Sequence, residues 1–408
     1  MVETTIKRLG LHGDGIADGP LYVPRALPGE RVSGQPDGQK LTDVKIIEPS
    51  ARRVAAPCPH FKSCGGCQLQ HADDAFVADW KVDVVRTAIE AHGLETVFRP
   101  ILTSPPQSRR RAGFAARRTK KGAMVGFHGQ ASGTIVAIPD CQLLTPDVLA
   151  AVPGAEALAI AGASRKGALS VVVTQSRTGL DVAVSDGKPL DGPLRQQLAM
   201  ICDRTGLARL SWDDEIVAMR APPAQRFGAA DVVPPPGAFL QATQHGQQAL
   251  VAAVQEAVKG AGRIIDLFAG CGTFSLPLAE TAEVRAIESE AGMLAALDAG
   301  WRHATGLKKI TTEARDLFRR PLMPDEMAKT DAVVLDPPRA GAEAQIAELV
   351  KSSVPRIAYV SCNPVTFARD AAALVDAGYN LDWIQVVDQF RWSAHVELAA
   401  SFASAHMR

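Results

Sequence analysis

Residues 331–339 read DAVVLDPPR and residues 356–364 read RIAYVSCNP, and these two segments decide the predicted fold. Each contains a short apolar, partly β-branched run, and the stretch between them, residues 343–353, resembles a helix. A strand, a helix and a second strand in this order are typical of a parallel βαβ unit. In such units the residues that handle a ligand collect beyond the carboxyl ends of the strands. The sequence therefore predicts that Asp336 and Cys362 face a ligand cleft.

Cys362 is the candidate nucleophile of this cleft. Pro364 ends the strand and fixes the chain direction, which leaves Cys362 in a turn instead of a hydrogen-bonded ladder. Most isolated cysteines are small buried hydrophobic residues, however, and position alone does not separate the two interpretations.

Length and composition set the outer limits. The 408 residues exceed the size of one usual hydrophobic core, so two or three domains are expected. Lys and Arg together number 44, as do Asp and Glu, so the net charge does not indicate an acidic partner and only local clusters can. The chain has no apolar run of membrane-spanning length and no signal-like apolar core at its N-terminus. We therefore expect a soluble cytoplasmic protein that does not bind membranes.

The N-terminal residues 4–49 alternate turn signals with short β-prone pieces such as Leu21–Val23 and Val44–Ile47. This pattern suits a small β-barrel of about fifty residues, of a kind that often binds oligonucleotides. A small all-β module without that activity would have the same pattern.

Four cysteines form a candidate metal site. An odd cysteine number, seven, fits a metal or catalytic role better than a disulfide framework. Three clustered cysteines and a distant fourth resemble iron–sulfur ligation more than the two separated pairs of a zinc ribbon. An iron–sulfur cluster is therefore favoured over zinc, with unrelated buried thiols third. The candidates are Cys58, Cys64, Cys67 and Cys141. Cys202 and Cys271 have no such neighbours and are assigned to packing.

A basic run lies between residues 109 and 121, which include seven basic residues and no acid. With Phe114 among them, these residues could hold a phosphate backbone and stack a base. Charge runs are more often solvated faces, but the absence of a compensating acid keeps nucleic acid in view. Residues 125–235 alternate β-like pieces with Gly and Pro loops, which predicts a central α+β domain that ends near Pro234–Gly237.

The last third of the chain places polar or reactive residues after successive predicted strands. One acid at a strand end is commonly a cap, but five such residues on one edge describe a nucleoside-binding cleft. These residues are Asp266, Glu288, Asp316, Asp336 and Cys362. The turn that begins at Asp266 has Ser275 where a dinucleotide fingerprint has its third glycine, which disfavours NAD. Its carboxylate suits a sulfonium and an amino-acid cation better than a pyrophosphate, so S-adenosylmethionine is the better ligand.

In combination, these features resemble the 23S rRNA (uracil-5-)-methyltransferase family, which is related to the tRNA uracil-5 methyltransferases, over essentially the whole chain. Residues 14–17 (DGIA) and 27–32 (LPGERV) resemble the TRAM domain of that family, an OB-like RNA-binding barrel. Residues 360–364 (VSCNP) match its nucleophile motif, and His395–Glu397 matches its C-terminal signature. Residues 390–393 depart from the more usual Pro and Thr pattern.

The resemblance implies an α/β fold in three parts. These are a TRAM-like OB β-barrel over residues 1–50, a central α+β domain with a [4Fe-4S] cluster over 51–236, and a class I, Rossmann-like S-adenosylmethionine-dependent methyltransferase domain over 237–408. The implied cluster ligands are Cys58, Cys64, Cys67 and Cys141. The implied cofactor contacts, with Asp266 included from the glycine-rich turn, are Gln241, Asp266, Phe268, Thr273, Glu288, Asp316 and Asp336.

The implied reaction forms 5-methyluridine in 23S rRNA. Because uracil C5 is a weak nucleophile, Cys362 first adds to C6, C5 then takes the methyl group, and Glu397 as general base removes the C5 proton. The target uridine must leave its stack, so a flipped or single-stranded uridine is expected, and the protein is expected to be a monomer. Two alternatives stay open: a tRNA uracil-5 methyltransferase and a non-catalytic RNA-binding assembly factor.

Overall fold

The computed structural model describes residues 1–19 and 21–405. Within these residues the chain forms a closed five-stranded barrel, a seven-stranded sheet, an eight-stranded sheet and a two-stranded hairpin. The barrel strands are β1 (Val2–Leu9), β2 (Gly15–Ala17), β3 (Leu21–Val23), β4 (Arg31–Asp37) and β5 (Lys40–Glu48).

The barrel closes because β1 pairs with both β2 and β4. Small and branched side chains fill its interior. At Gly34 the strands approach so closely that a Cβ atom would lie 2.6 Å from the carbonyl oxygen of Thr42, which only glycine avoids. The predicted N-terminal β-barrel is therefore confirmed, whereas RNA binding by it stays a prediction.

The central part of the chain contributes most of its strands to the seven-stranded sheet, in the order β13-β12-β11-β10-β7-β8-β9. Helices α3 and α4 cover this sheet and share its hydrophobic core. The elements in chain order are α1 (Asp74–Glu90), β6 (Val97–Thr103), β7 (Arg111–Arg118), β8 (Ala123–His128), β9 (Ile135–Val136), α2 (Pro146–Ala150), α3 (Val152–Gly162), β10 (Leu169–Ser176), β11 (Gly179–Ser185), α4 (Gly192–Arg204), β12 (Arg209–Trp212), β13 (Glu215–Met219), β14 (Gln225–Phe227) and β15 (Ala230–Val232).

The C-terminal part forms the eight-stranded sheet, in the order β18-β17-β16-β19-β20-β22-β21-β6. The elements are α5 (Gln244–Ala257), β16 (Arg263–Leu267), α6 (Ser275–Leu278), β17 (Glu283–Glu288), α7 (Ala291–His303), β18 (Ile310–Ala314), a 3₁₀ turn (Pro324–Met327), β19 (Ala332–Leu335), α8 (Glu343–Leu349), β20 (Arg356–Ser361), α9 (Pro364–Asp376), β21 (Tyr379–Asp388) and β22 (Glu397–Ser404). No helix in the described ranges is long and apolar enough to cross a membrane.

Both faces of this sheet are buried, which explains the unbroken apolar runs of its strands. In β19, Ala332 and Val334 enter the core on one face, and Val333 and Leu335 enter the core on the other. Strands β17 and β18 lie on one side of β16, and strands β19 and β20 lie on the other side. The order of the strands therefore reverses between β16 and β19. In open parallel sheets the ligand crevice lies outside the carboxyl ends at such a point.

Two elements of the predicted central domain join the C-terminal sheet. Strand β6 pairs with β21 at the sheet edge, and α1 packs against α9. The buried Lys81 of α1 donates from Nζ to Asp388 Oδ1 at 2.6 Å and to the carbonyl of Phe390 at 3.0 Å. These contacts fix the end of β21 to α1. The division at residues 236 and 237 stays a prediction.

The predicted basic run divides between the interior and the surface. Arg110 is buried and donates to the carbonyl of Gln241 at 3.1 Å and to Gln247 Oε1 at 2.6 Å, so it is a structural residue. Phe114 is 1% exposed and packs against Phe127, because alternate residues of β7 face the core. The expectation that Phe114 could stack a base is therefore wrong. The exposed basic residues lie around the β7–β8 turn: Arg117, Arg118, Lys120 and Lys121.

Candidate functional site

Three neighbouring strands place a thiol and two carboxyl groups at one end of the C-terminal sheet. Asp336 follows β19, Cys362 follows β20, and Glu397 begins β22. The antiparallel register of β20 and β22 pairs Ser361 with Leu398. Cys362 and Glu397 therefore lie one residue further along, at the same end of two adjacent strands.

Cys362 lies half-buried in the turn between β20 and α9, as its position before Pro364 predicts. The next residue, Asn363, caps α9: its Oδ1 accepts from the backbone N–H of Val365 at 3.2 Å. Its Nδ2 donates to the carbonyl of Arg339 at 2.8 Å, which joins this turn to the loop after β19. The cap and the cross-loop bond together hold the thiol in place.

Burial and like charges raise the pKa values of this group. Glu397 is 3% exposed, and burial raises its pKa to about 7. The pKa of Asp336 is raised well above its usual value by burial first, and then by the charges of Glu397 and Asp266. Burial first, and then the charges of Glu397 and Asp336, raise the pKa of Cys362 to about 11. The positive charge of Arg339 opposes this shift. Of these three groups, Glu397 is the one whose pKa lies near neutral pH.

Gln389 is a residue of this site that the sequence did not reveal. It is 1% exposed, and its Nε2 donates to Glu397 Oε2 at 3.0 Å and to Gln241 Oε1 at 2.5 Å. Gln241 in turn donates from Nε2 to Asp336 Oδ2 at 3.4 Å. No periodicity or motif identifies such a residue, because its partners are distant in sequence. The sequence signal that could have identified Gln389 is its position as a polar residue between the end of the apolar strand β21 and Phe390.

The glycine-rich turn after β16 carries strain at a predicted cofactor contact. Phe268 has φ +62°, a left-handed conformation that is costly for a bulky residue and is often found at functional sites. Its ring lies 5.6 Å from that of Phe318. Glu288 faces the same turn and accepts from the backbone N–H of Gly270 at 3.1 Å. Thr273 is half-buried at the end of the turn.

Asp266 and Asp316 are placed differently from one another. Asp266 lies inside β16 and not after it, which corrects the expectation that it follows the strand. It is fully buried, accepts from Ser275 Oγ at 2.5 Å, and its pKa is raised by burial to about 7. Its Oδ1 has no hydrogen-bond partner among the described residues. Asp316 follows β18 and accepts from the backbone N–H of Phe318 at 3.0 Å, so it caps its own turn.

The four candidate metal-binding cysteines lie in one neighbourhood. Cys58 and Cys141 are buried, and Cys64 and Cys67 are half-buried. Burial first, and then the charges of the neighbouring thiolates, raise the pKa of Cys67 to about 12. In the part of the chain that the structure describes, no three His, Cys, Asp or Glu side chains form a group that could hold a single metal ion. The two cysteines assigned to packing are buried as expected: Cys202 and Cys271.

The cysteine-rich segment contacts the loop that precedes Glu397. The backbone N–H groups of Gln68 and Leu69 both donate to the carbonyl of Trp392, at 2.8 and 2.9 Å. Trp392 itself has φ +59° and packs into the core of the central sheet. The loop that leads to the buried carboxyl is therefore held by residues adjacent to Cys67.

Comparison with known proteins gives one consistent result. The profile of the family described as tRNA (Uracil-5-)-methyltransferase matches residues 302–403. An uncharacterized RNA methyltransferase of Brucella suis is 42% identical over 401 residues, which cover 98% of this chain and 97% of that protein. A 23S rRNA (uracil(1939)-C(5))-methyltransferase of Halomonas elongata is 34% identical, over 97% of this chain and 88% of that protein.

A solved structure shares the fold. The tRNA (uracil-54, C5)-methyltransferase of Pyrococcus abyssi, in complex with S-adenosyl-L-homocysteine, has a TM-score of 0.76 and 24% sequence identity, with 98% of this chain and 99% of that chain covered. The match shows a shared fold with a Rossmann-like C-terminal part, and the relatives of similar length support the motif-based resemblance. The chain belongs to the family of S-adenosylmethionine-dependent RNA (uracil-5-)-methyltransferases.

Proposed function

We propose that this enzyme forms 5-methyluridine in 23S rRNA, with Cys362 as the nucleophile and Glu397 as the general base. The observation that carries the proposal is the position of the thiol and the buried carboxyl at the same end of the adjacent strands β20 and β22. A nucleophile that adds to C6 and a base that removes a proton from C5 must reach neighbouring atoms of one pyrimidine ring.

The residues divide the reaction into two steps. The Cys362 thiolate adds to C6 of a flipped or single-stranded uracil, and the electron pair of the C5–C6 double bond moves into an enolate whose C5 is nucleophilic. When bound, S-adenosylmethionine supplies an electrophilic methyl group to this carbon. The ionised Glu397 then removes the remaining C5 proton, the C5–C6 double bond re-forms, and the bond from C6 to the Cys362 sulfur breaks.

The polar residues around the switch point fit a cationic, nucleoside-containing cofactor. The unpartnered, buried Oδ1 of Asp266 supplies an acceptor, and the strained Phe268 offers an aromatic surface beside the acidic Glu288. Carboxylates favour a positive charge at this turn by Coulomb attraction. We assign the cofactor contacts to the residues identified from the sequence: Gln241, Asp266, Phe268, Thr273, Glu288, Asp316 and Asp336.

The activity is expected to rise with pH through neutrality. Glu397 acts as a base only when ionised, and because its pKa is raised to about 7, proton removal slows about tenfold per pH unit below that value. Cys362 acts only as the thiolate, and because its pKa is raised to about 11, addition continues to accelerate above pH 8. Rapid-quench measurement of adduct formation and adduct resolution from pH 6 to 9 separates the two limbs. A total rate that falls as pH rises from 6 to 8 would contradict both assignments.

The proposed substrate is 23S rRNA and not tRNA. The finding that favours rRNA is the similarity of the rRNA methyltransferase of Halomonas elongata, which extends over most of both chains. Incubation with unmodified 23S rRNA and with unmodified tRNA, followed by mass mapping, is expected to show 5-methyluridine in the rRNA alone. Methylation of tRNA alone would support the tRNA alternative. A non-catalytic assembly factor is no longer proposed, because the chain belongs to an enzyme family.

The four clustered cysteines are proposed to hold a [4Fe-4S] cluster in the central part of the chain, residues 51–236. Four thiols in one neighbourhood match the donor set of such a cluster, and bound iron would remove the repulsion between thiolates. Iron and acid-labile sulfide are expected in protein prepared without oxygen. Both should be lost in Cys67→Ser and retained in Cys202→Ser, where the cysteine packs elsewhere.

RNA is proposed to lie along the barrel, residues 1–50, and over the catalytic part, residues 237–408. The exposed basic residues around the β7–β8 turn would contact its phosphates. Such contacts make binding weaker as salt concentration rises, because bound counterions are released when the complex forms. The enzyme is proposed to bind its RNA as a monomer.

A further inference from the structure

The side chain of Gln389 is held in one orientation by the backbone. The N–H of Ala242 donates to Gln389 Oε1 at 2.8 Å. A backbone N–H can only donate, so the oxygen of this carboxamide must face Ala242 and its nitrogen must face the other way. That nitrogen donates to Glu397 Oε2 at 3.0 Å and to Gln241 Oε1 at 2.5 Å. Both hydrogens of the Gln389 amide are therefore in use.

The orientation of Gln389 fixes that of Gln241. Because Oε1 of Gln241 receives the Gln389 N–H, its Nε2 is left to face Asp336, whose Oδ2 lies 3.4 Å away. One backbone N–H thus determines the direction of hydrogen bonds from Ala242 to two carboxyl groups. The two amides between Glu397 and Asp336 each present an N–H to a carboxyl group, and the N–H of Gln389 favours the ionised form of Glu397.

The surroundings of Gln389 leave it no second position. On one side a Cβ atom at Gly246 would lie 2.6 Å from Gln389 Cβ and 3.1 Å from its Oε1, so the bare backbone of α5 makes room for it. On the other side Asp388 is held by the buried Lys81. A buried side chain whose every polar atom is paired, and whose neighbours are fixed, keeps one rotamer.

We propose that Gln389 is the positioning residue for the general base, and that it aligns the Glu397 carboxylate for removal of the C5 proton while tying it to Gln241. The proposal rests on the proposed role of Glu397. Gln389 does not touch the pyrimidine in this scheme, since both of its N–H donors are used within the protein. With saturating cofactor, which offsets any weaker binding through Gln241, its effect should fall on the second chemical step, after Cys362 has formed its bond to C6.

Loss of the Gln389 amide should alter both the geometry and the acidity of Glu397. The hydrogen bond from Gln389 lowers the pKa of Glu397 against the effect of burial. Its removal leaves Asp336 and Cys362 as the neighbouring titratable groups, both of which repel a charge on Glu397 when ionised, with Asp266 beyond Asp336. The carboxyl should then ionise only at higher pH.

The test is Gln389→Leu, which preserves side-chain volume and removes the amide. In single-turnover reactions with uridine-containing RNA and saturating cofactor, we expect the methylated covalent adduct to resolve about tenfold more slowly at pH 7, and its pH profile to move up by about one unit, as expected from a lost hydrogen bond to a charged group. The rate of adduct formation, measured separately by trapping on 5-fluorouridine-containing RNA, should stay within about twofold of the parent rate.

Gln345→Leu is the matched control. This glutamine is equally buried, and both ends of its amide bond to the backbone of Leu322, away from the Gln389 contacts. It should lower thermal stability without changing adduct resolution or its pH profile. Gly246→Ala provides a second route to the same result, because the added methyl displaces Gln389 while the amide remains. It should slow adduct resolution in the same direction even if Gln389→Leu folds poorly.

The outcomes separate this proposal from the function on which it rests. If Glu397→Gln resolves the adduct at the parent rate, the proposed base is wrong. If Glu397→Gln accumulates the adduct while Gln389→Leu or Gly246→Ala resolves it at the parent rate with an unmoved pH profile, the positioning role is wrong and the base assignment stands. If Gln389→Leu slows formation and resolution equally, Gln389 acts through general folding and the proposal is also overturned.

Discussion

Replacement of Cys362 by alanine should reduce methyl transfer to uridine by roughly 10⁴-fold or more, because without a thiolate the C5 carbon has no means of becoming nucleophilic. Cofactor binding should persist, since the proposed cofactor contacts lie outside the turn that carries Cys362. A methyl-transfer assay with radiolabelled S-adenosylmethionine measures the loss, and calorimetric titration of the cofactor measures the retained affinity.

Two further results complete this test. The parent protein should form a stable adduct with 5-fluorouridine-containing RNA, because fluorine at C5 cannot be removed as a proton, and Cys362→Ala should form none. Cys202→Ala is the control, since that cysteine is fully buried in the central core. Normal methylation by Cys362→Ala would show that the covalent mechanism is wrong.

Glu397→Gln should trap the enzyme on its natural substrate. The amide fits the position of the carboxyl but cannot accept the C5 proton, so the methylated adduct should form and then persist. We expect resolution to slow by about 10²- to 10⁴-fold, the usual contribution of a general base. A denaturing gel should show a protein–RNA band that carries the transferred methyl group and appears without any 5-fluorouridine.

The control for this variant is Glu256→Gln on α5. Glu256 forms an ion pair with Arg99 at 2.6 Å near the surface, and such pairs contribute little to stability. It should turn over normally. If Glu397→Gln releases methylated RNA as fast as the parent protein, another group removes the proton, and Asp336 would be the next candidate because it lies on the same edge of the sheet.

Local sequence pattern was sufficient to predict where β19 and β20 end. The runs before Asp336 and Cys362 are apolar because β19 and β20 are buried on both faces, and Pro364 stands at the first turn of a helix, where its missing N–H costs nothing. Glu397 was different. Nothing in its own neighbourhood marks it as a base, and only its resemblance to a family signature singled it out.

The errors have a common physical cause. Phe114 is buried because the core covers its face of β7. Arg110 is buried because the segment that contains Gln241 packs over it and accepts its hydrogen bond. Asp266 was expected beyond its strand, as one of five polar or reactive residues at strand ends, but it lies inside β16. It is tolerated there because Ser275 donates to it across the turn. These pairings join residues whose proximity the chain order does not reveal.

The sequence by itself determined the alternation of strands and helices, the turn that carries Cys362 and the N-terminal barrel. Each of these depends on neighbours within a few residues, through periodicity, caps and proline. Only the tertiary structure decided that β22 enters the sheet between β20 and β21, which brings Glu397 beside Cys362 and Gln389 beside Gln241. Strand insertion depends on how two apolar faces pack together, and no local pattern encodes that choice.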